Sequence, residues 1–198
     1  GQNIDMEKII RLFPGIDAVS MGTVIKMLEK NINCPETSSM GRLFDAAAAI
    51  TGIKSRISYE GQAAIELENI ADKKEYQAYT YGIDSIDGIF SICTSDVIKS
   101  IIEDMFSGIP ASVISSRFHS TVSSMIIKTC EMIRDSTGLN RVVLSGGVFQ
   151  NITLLESSIR GLEKLGFFVY KHERVPANDG GICLGQAVIA AARLKGNC

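Results

Sequence analysis

The chain has 198 residues, 45% of them hydrophobic and 21% charged, which fits one globular lobe with a core of its own. A net charge of −2 with no basic run excludes an electrostatic footprint for nucleic acid, and no apolar stretch reaches the ~18 residues of a membrane span. Five widely spaced cysteines without a CxxC pair argue against a structural zinc site and for reduced thiols in a cytoplasmic protein.

From the N-terminus, "DMEKIIRL" predicts a helix over 5–12 that stops before Pro14, and a second helix runs over about 16–30 with Val19, Val24, Met27 and Leu28 on its apolar side. After a polar connector around Pro35, "TSSMGRLFDAAAAITG" predicts a capped helix in which Met40, Leu43, Phe44, Ala47 and Ile50 keep the 3.6 period and Gly52 suits the end. "SYEGQAAIELENIADKKE" predicts a loop and then a helix over about 62–72. "YQAYTYGI" and "GIFSICT" predict a hairpin around a turn at 84–88, and Thr94 or Ser95 caps a helix through about Phe106.

Pro110 opens a long helix that ends before Gly138, with Ile114, Phe118, Val122, Met125, Ile126, Cys130 and Ile133 along one face. Strand, helix, strand and helix then alternate: "RVVLS", residues 151–165, "FFVYK", and residues 180–194. That order predicts a parallel α/β layer at the C-terminal end. The whole is expected to be a single lobe over 1–198: a mainly helical part (1–75), a hairpin with helices (76–136) and a βαβα nucleotide-binding part (137–198). Gly1 in place of an initiating methionine points to a processed or excised chain.

Four polar clusters interrupt these elements. Asp45 sits in an apolar helix, three residues after Arg42, and a surface ion pair is its plain use. Glu66, in "YEGQAAIE", is either part of a solvated face or a carboxylate able to accept two ribose hydroxyls. In "LSGGVFQN", Gly146 and Gly147 end a strand, and Asn151 either caps the next helix or touches a purine or ribose edge. In "VPANDGG", Asp179 has three uses: N-cap, metal ligand, or a base that orients water.

If the last two strands are parallel, both glycine loops lie at their carboxyl ends, where α/β sheets bind ligands. A nucleotide phosphate is the expected ligand, and the absence of GxxxxGK[ST] argues against a Walker-type site. His119 is expected to pack and His172 to be exposed. Neither Ser145 nor Cys183 is expected to have a histidine near it, and Cys183 is expected in the core.

The segments "SSMGRLFDAAAAITG", "ISYEGQAAIELE", "RFHSTVSSMI", "VVLSGGVFQN" and "VPANDGGICLGQA", in this order over about 37–192, resemble the C-terminal part of the carbamoyltransferase of [NiFe]-hydrogenase maturation. The resemblance implies a helix-rich α/β lobe of an actin-like (ribonuclease-H-like) ATPase domain, related to the tRNA threonylcarbamoyladenosine synthesis proteins. It implies binding of ATP or carbamoyl-adenylate and transfer of the carbamoyl group to the C-terminal cysteine of a partner maturation protein, for synthesis of a cyanide ligand. Asp45 and Glu66 would hold ribose hydroxyls, and Gly61 and Gln62 would shape the loop beneath the nucleotide. Gly146, Gly147 and Asn151 would contact the adenylate, and Asp179 would ligate a divalent metal.

The family's paired histidine ligands have no counterpart here, so the chain is expected to be a fragment, inactive alone, whose surface toward the missing lobe exposes apolar side chains. The alternatives are a lobe of a tRNA threonylcarbamoyl- or small-molecule O-carbamoyltransferase, or a non-catalytic module that binds a protein partner. The acidic balance speaks against an RNA substrate.

Overall fold

A computed structural model describes residues 10–72, 74, 76–194 and 196. The elements in chain order are α1 (Ala18–Glu29), α2 (Met40–Ile50), α3 (Gln62–Asn69), β1 (Gly82–Ile86), β2 (Ile89–Cys93), α4 (Ser95–Phe106), α5 (Ala111–Thr137), β3 (Arg141–Leu144), α6 (Ile152–Lys164), β4 (Phe168–Lys171) and α7 (Ile182–Leu194). Short 3-10 turns at Gly147–Gln150 and Asp179–Gly181 lead into α6 and α7. Of the helix expected over 5–12, residues 10–12 are helical and the rest lies outside the described residues.

The chain forms two compact units: residues 1–71 with 98–114, and residues 72–97 with 115–198. In the first, the Asp17 carboxylate caps α1 by accepting from the Val19 and Ser20 amides. The apolar side expected of α1 is not its buried side: Val19, Val24 and Leu28 are exposed, and Met21 is the residue that α1 buries. Ser39 caps α2, whose Phe44, Ala47, Ala48 and Ile50 are buried, and α2 packs on α3. The alanines carry no rotamer cost and let the two backbones approach. Gly61 opens α3 in the left-handed region, at φ +80°, and α3 ends at Asn69, three residues short of the expected end.

In the second unit the hairpin turns later than expected. Asp84, Ser85 and Ile86 are strand residues, and the turn is the pair Asp87–Gly88, at φ +52° and +77°. Two positive φ values make the tight turn whose twist matches antiparallel strands, and Asp-Gly is a favoured pair for it. The register joins Gly82 to Cys93 and Ile86 to Ile89, while residues 76–81 approach as loop. There the Tyr79 N–H donates to Thr121 Oγ1 at 2.8 Å.

Helix α5 buries Phe118, Val122 and Met125 completely. Further along, Ile126, Ile127 and Cys130 pack against a core of Leu144, Leu162 and Phe167. Burial pushes the Cys130 thiol pKa up. Gly161 is what lets α6 lie against α5, because a Cβ there would occupy the place of the Ile127 side chain. The end of α5 is fixed by Arg134, which donates to the Leu165 carbonyl at 2.7 Å while its guanidinium stands 4.1 Å over the Phe167 ring. Strands β3 and β4 are parallel, in the register Arg141↔Phe168 to Leu144↔Lys171, with α6 as the crossover.

Candidate functional site

The parallel register brings the two glycine loops to one end of the sheet. Both strands run in the same direction and stop together at Leu144 and Lys171, so "SGG" and the loop to "NDGG" leave from the same edge. The loops then meet: the Gly146 N–H donates to the Ala177 carbonyl at 2.9 Å, and a Cβ on Gly147 would lie 3.9 Å from Asn178 Cβ. Gly146 has φ +109°, a conformation an L side chain rarely adopts, with open space where a side chain would stand. Gly181 is required for a different reason, since a Cβ there would come within 2.8 Å of the Pro176 carbonyl oxygen. The result is a cleared edge from which α6 and α7 start.

Asn151 bridges this edge to the interior. Its Oδ1 accepts from the Leu154 N–H at 2.8 Å, capping α6, and its Nδ2 stands 2.8 Å from His119 Nε2. His119 is buried, with Nδ1 2.8 Å from the Ser115 carbonyl. A carbonyl only accepts, so Nδ1 carries the proton, and in the neutral ring Nε2 accepts from the Asn151 amide. Both ends of the Asn151 amide are thus engaged within the protein, between His119 and the Leu154 N–H.

Asp179 is exposed and begins the second 3-10 turn. The cap there belongs to its neighbour: Asn178 Oδ1 accepts from the Gly180 N–H at 3.1 Å. Among the described residues no three His, Cys, Asp or Glu side chains cluster as a metal site would need.

The first unit holds the other expected residues. Asp45 is half-buried and pairs with Arg42 at 3.4 Å, the plain use that its spacing allows. Glu66 is more constrained: Lys54 Nζ lies 3.0 Å from its Oε1, and Gln62 Nε2 donates to the same oxygen at 2.8 Å. Gln62 Oε1 in turn accepts from the Ser58 N–H at 2.7 Å. The Lys54 bond, then the Gln62 bond, holds the Glu66 carboxyl below its usual range. Gln62 thus ties Ser58 to the start of α3, which Gly61 opens.

Two expectations are corrected. Ser145 does have a histidine beside it, because His172 Nε2 stands 2.8 Å from Ser145 Oγ. The signal was present in the two strand ends, "VVLS" and "VYKH", once they are aligned in parallel. Cys183 is exposed rather than in the core, on a helix with no buried residue.

A parallel β–α–β unit with two glycine loops on its carboxyl edge is the local architecture of an α/β protein, and in open α/β sheets ligands commonly bind at that edge. Comparison with known proteins gives the particular family. Residues 4–186 match the model described as carbamoyltransferase, Kae1-like domain, second subdomain. The chain is 35% identical over 163 residues to carbamoyltransferase HypF of Synechocystis, covering 82% of this chain and 20% of that protein. It is 33% identical over 190 residues to the HypF of Rhodobacter capsulatus, covering 94% of this chain and 24% of that protein.

A crystal structure of full-length HypF in a phosphate- and nucleotide-bound form superposes with a TM-score of 0.87 at 40% identity, over 96% of this chain and 25% of that one. The HypF structure from T. kodakarensis gives 0.72 at 27% identity, over 90% and 23%. This chain belongs to the Kae1-like second-subdomain family of HypF carbamoyltransferases, and its fold is the helix-rich α/β lobe expected. It spans about a fifth to a quarter of the length of these relatives.

Proposed function

We propose that the chain supplies part of the nucleotide site of a carbamoyltransferase, binding ATP or carbamoyl-adenylate at the edge formed by Gly146, Gly147 and the 176–181 loop. The observation that carries this reading is the Gly146–Ala177 hydrogen bond, which brings two glycine loops to one place at the carboxyl ends of parallel strands. Cleared glycines allow a phosphate to approach the backbone closely, and the helix starts behind them favour its negative charge. The nucleotide-bound relative, 40% identical, supports the same ligand class.

In this reading Asn151 acts from below, holding the start of α6 at the nucleotide, and Asp45 and Glu66 take ribose hydroxyls in the complete site. Gln62 already orients Glu66, which is kept ionised and so able to accept two hydroxyl bonds. Asp179 is proposed as a single carboxylate ligand for a divalent ion, which when bound would neutralise phosphate charge. Since the described residues form no metal cluster, the remaining ligands would come from elsewhere. Transfer then passes the carbamoyl group to the C-terminal cysteine thiolate of a hydrogenase maturation partner, with AMP leaving, toward a cyanide ligand.

Titration calorimetry of the chain with AMP and with ATP tests the binding step. Part of a site should bind with a Kd of roughly 1 mM or weaker. Gly147→Val, which fills the space facing Asn178, should reduce that binding about tenfold or more. Equal binding by the variant, or none by the wild type at any concentration, would remove the nucleotide reading. In a full-length carbamoyltransferase carrying this sequence, unchanged transfer to the acceptor thiol by Asp179→Ala would remove the metal-ligand role.

A further inference from the structure

Ser145 and His172 immediately follow β3 and β4, and the parallel register sets them side by side, His172 Nε2 2.8 Å from Ser145 Oγ. Both residues are exposed, so the bond satisfies no desolvated group and adds little to stability. Its position is the informative feature. Ser145 precedes Gly146, whose backbone is at φ +109° beside open space, and His172 opens the loop whose Ala177 carbonyl receives the Gly146 N–H. The pair therefore stands at the root of both glycine loops.

We propose that Ser145 is a phosphate contact whose hydrogen-bond direction is set by His172, a positioning residue that acts through the serine; this rests on the nucleotide reading above. A serine hydroxyl has one proton to donate. Toward an imidazole whose Nε2 is bare, that proton turns inward and the hydroxyl is spent. An imidazolium must instead donate its Nε2–H to Ser145 Oγ, which releases the hydroxyl proton to an external anion. The positive ring adds attraction for that anion from just behind the serine. Phosphate binding then takes up a proton at His172, and by linkage a proton at His172 strengthens phosphate binding.

Histidine is the side chain able to make this change near neutral pH. On its own segment His172 is flanked by Lys171, Glu173 and Arg174. Of the elements beside it, β3 bears Arg141 at its opposite end, and the tied loop bears Asp179 beyond Ala177. Among the described residues no acidic side chain forms an ion pair with His172.

The test follows the His172 ring protons by NMR as a function of pH in the whole chain, alone and with AMP, inorganic phosphate or adenosine. AMP and phosphate should raise the titration midpoint of His172 by about half a unit or more, and adenosine should leave it in place. Ser145→Ala should cut the AMP-induced shift by about half or more, since the serine couples ring to anion. His172→Gln should remove the ring's share of the pH dependence of AMP affinity between about 6 and 8, leaving the share that comes from the phosphate's own second ionisation near pH 6. If AMP binds, as other resonances would report, yet leaves the His172 midpoint unmoved, the proposal falls and the nucleotide reading stands. An equal shift with adenosine overturns the phosphate contact, and the absence of AMP binding altogether overturns both.

Discussion

Asn151 uses both ends of one amide, and so a single substitution there has two separate costs. Asn151→Ala removes the cap on α6, worth about 0.5–2 kcal/mol, and strands the buried His119 Nε2, worth about 1–3 kcal/mol. Urea denaturation should therefore show a loss of roughly 2–4 kcal/mol. Asn151→Asp keeps an acceptor for the Leu154 amide and should recover the cap share of that loss. Glu66 gives a prediction in pH. Its folded pKa lies below the ordinary 4.5, so its contribution is present above that value and disappears as pH falls through the folded value. Glu66→Gln should flatten the fall in denaturation midpoint on acidification below pH 4.5, and Lys54→Met should do the same, because the Lys54 bond is the larger cause.

Among the elements, α6 illustrates how a glycine inside a helix acts as a packing device. Gly161 costs about 1 kcal/mol of helix propensity against alanine, yet its missing side chain is the space that Ile127 fills. Gly161→Ala should nonetheless destabilise the fold by about 1–3 kcal/mol, since the flexible end of Ile127 must move within a filled core. Adding Ile127→Ala should return part of that loss, a non-additivity that a double-mutant cycle measures directly. Periodicity and caps made this helix legible in the sequence: Asn151 before it and Gly166 after it bracket the observed range. Helix α1 was legible in extent but not in facing, because Val19, Val24 and Leu28 form an apolar stripe that the structure leaves exposed. The hairpin was legible in the sequence, its turn only to within a few residues, for a local reason. Asp84 and Asp87 are equally good turn residues, and only the pair with Gly88 supplies two positive φ values in succession.

For the molecule as a whole, the C-terminal βαβα order was legible because strand and helix periods alternate cleanly there, and the two glycine loops meet as that order requires. What the linear sequence hid were pairings across distance: His119 with Asn151, and Ser145 with His172, are 32 and 27 residues apart. Neither shares a period or a motif. Among the exposed apolar side chains α7 is the extreme case, with no buried residue and with Ile182, Leu184, Val188, Ile189 and Leu194 all exposed. Replacing Val188 and Ile189 together by glutamine should change the stability of the chain by less than about 0.5 kcal/mol per site. The same double variant should visibly lower the binding of a hydrophobic dye, whereas a large stability loss would mean that this surface is already covered.

The short ladder between β3 and β4 carries one last implication. Each strand spends one side on its neighbour, and the described chain sets no other strand against the remaining side of either. Those rims present unspent donors and acceptors in regular order, so an extended peptide of any origin could dock there without rearranging what it joins. Crowded solutions of this chain should for that reason gain β signal by infrared spectroscopy before they lose helix, and a few lysines along the rims should delay it.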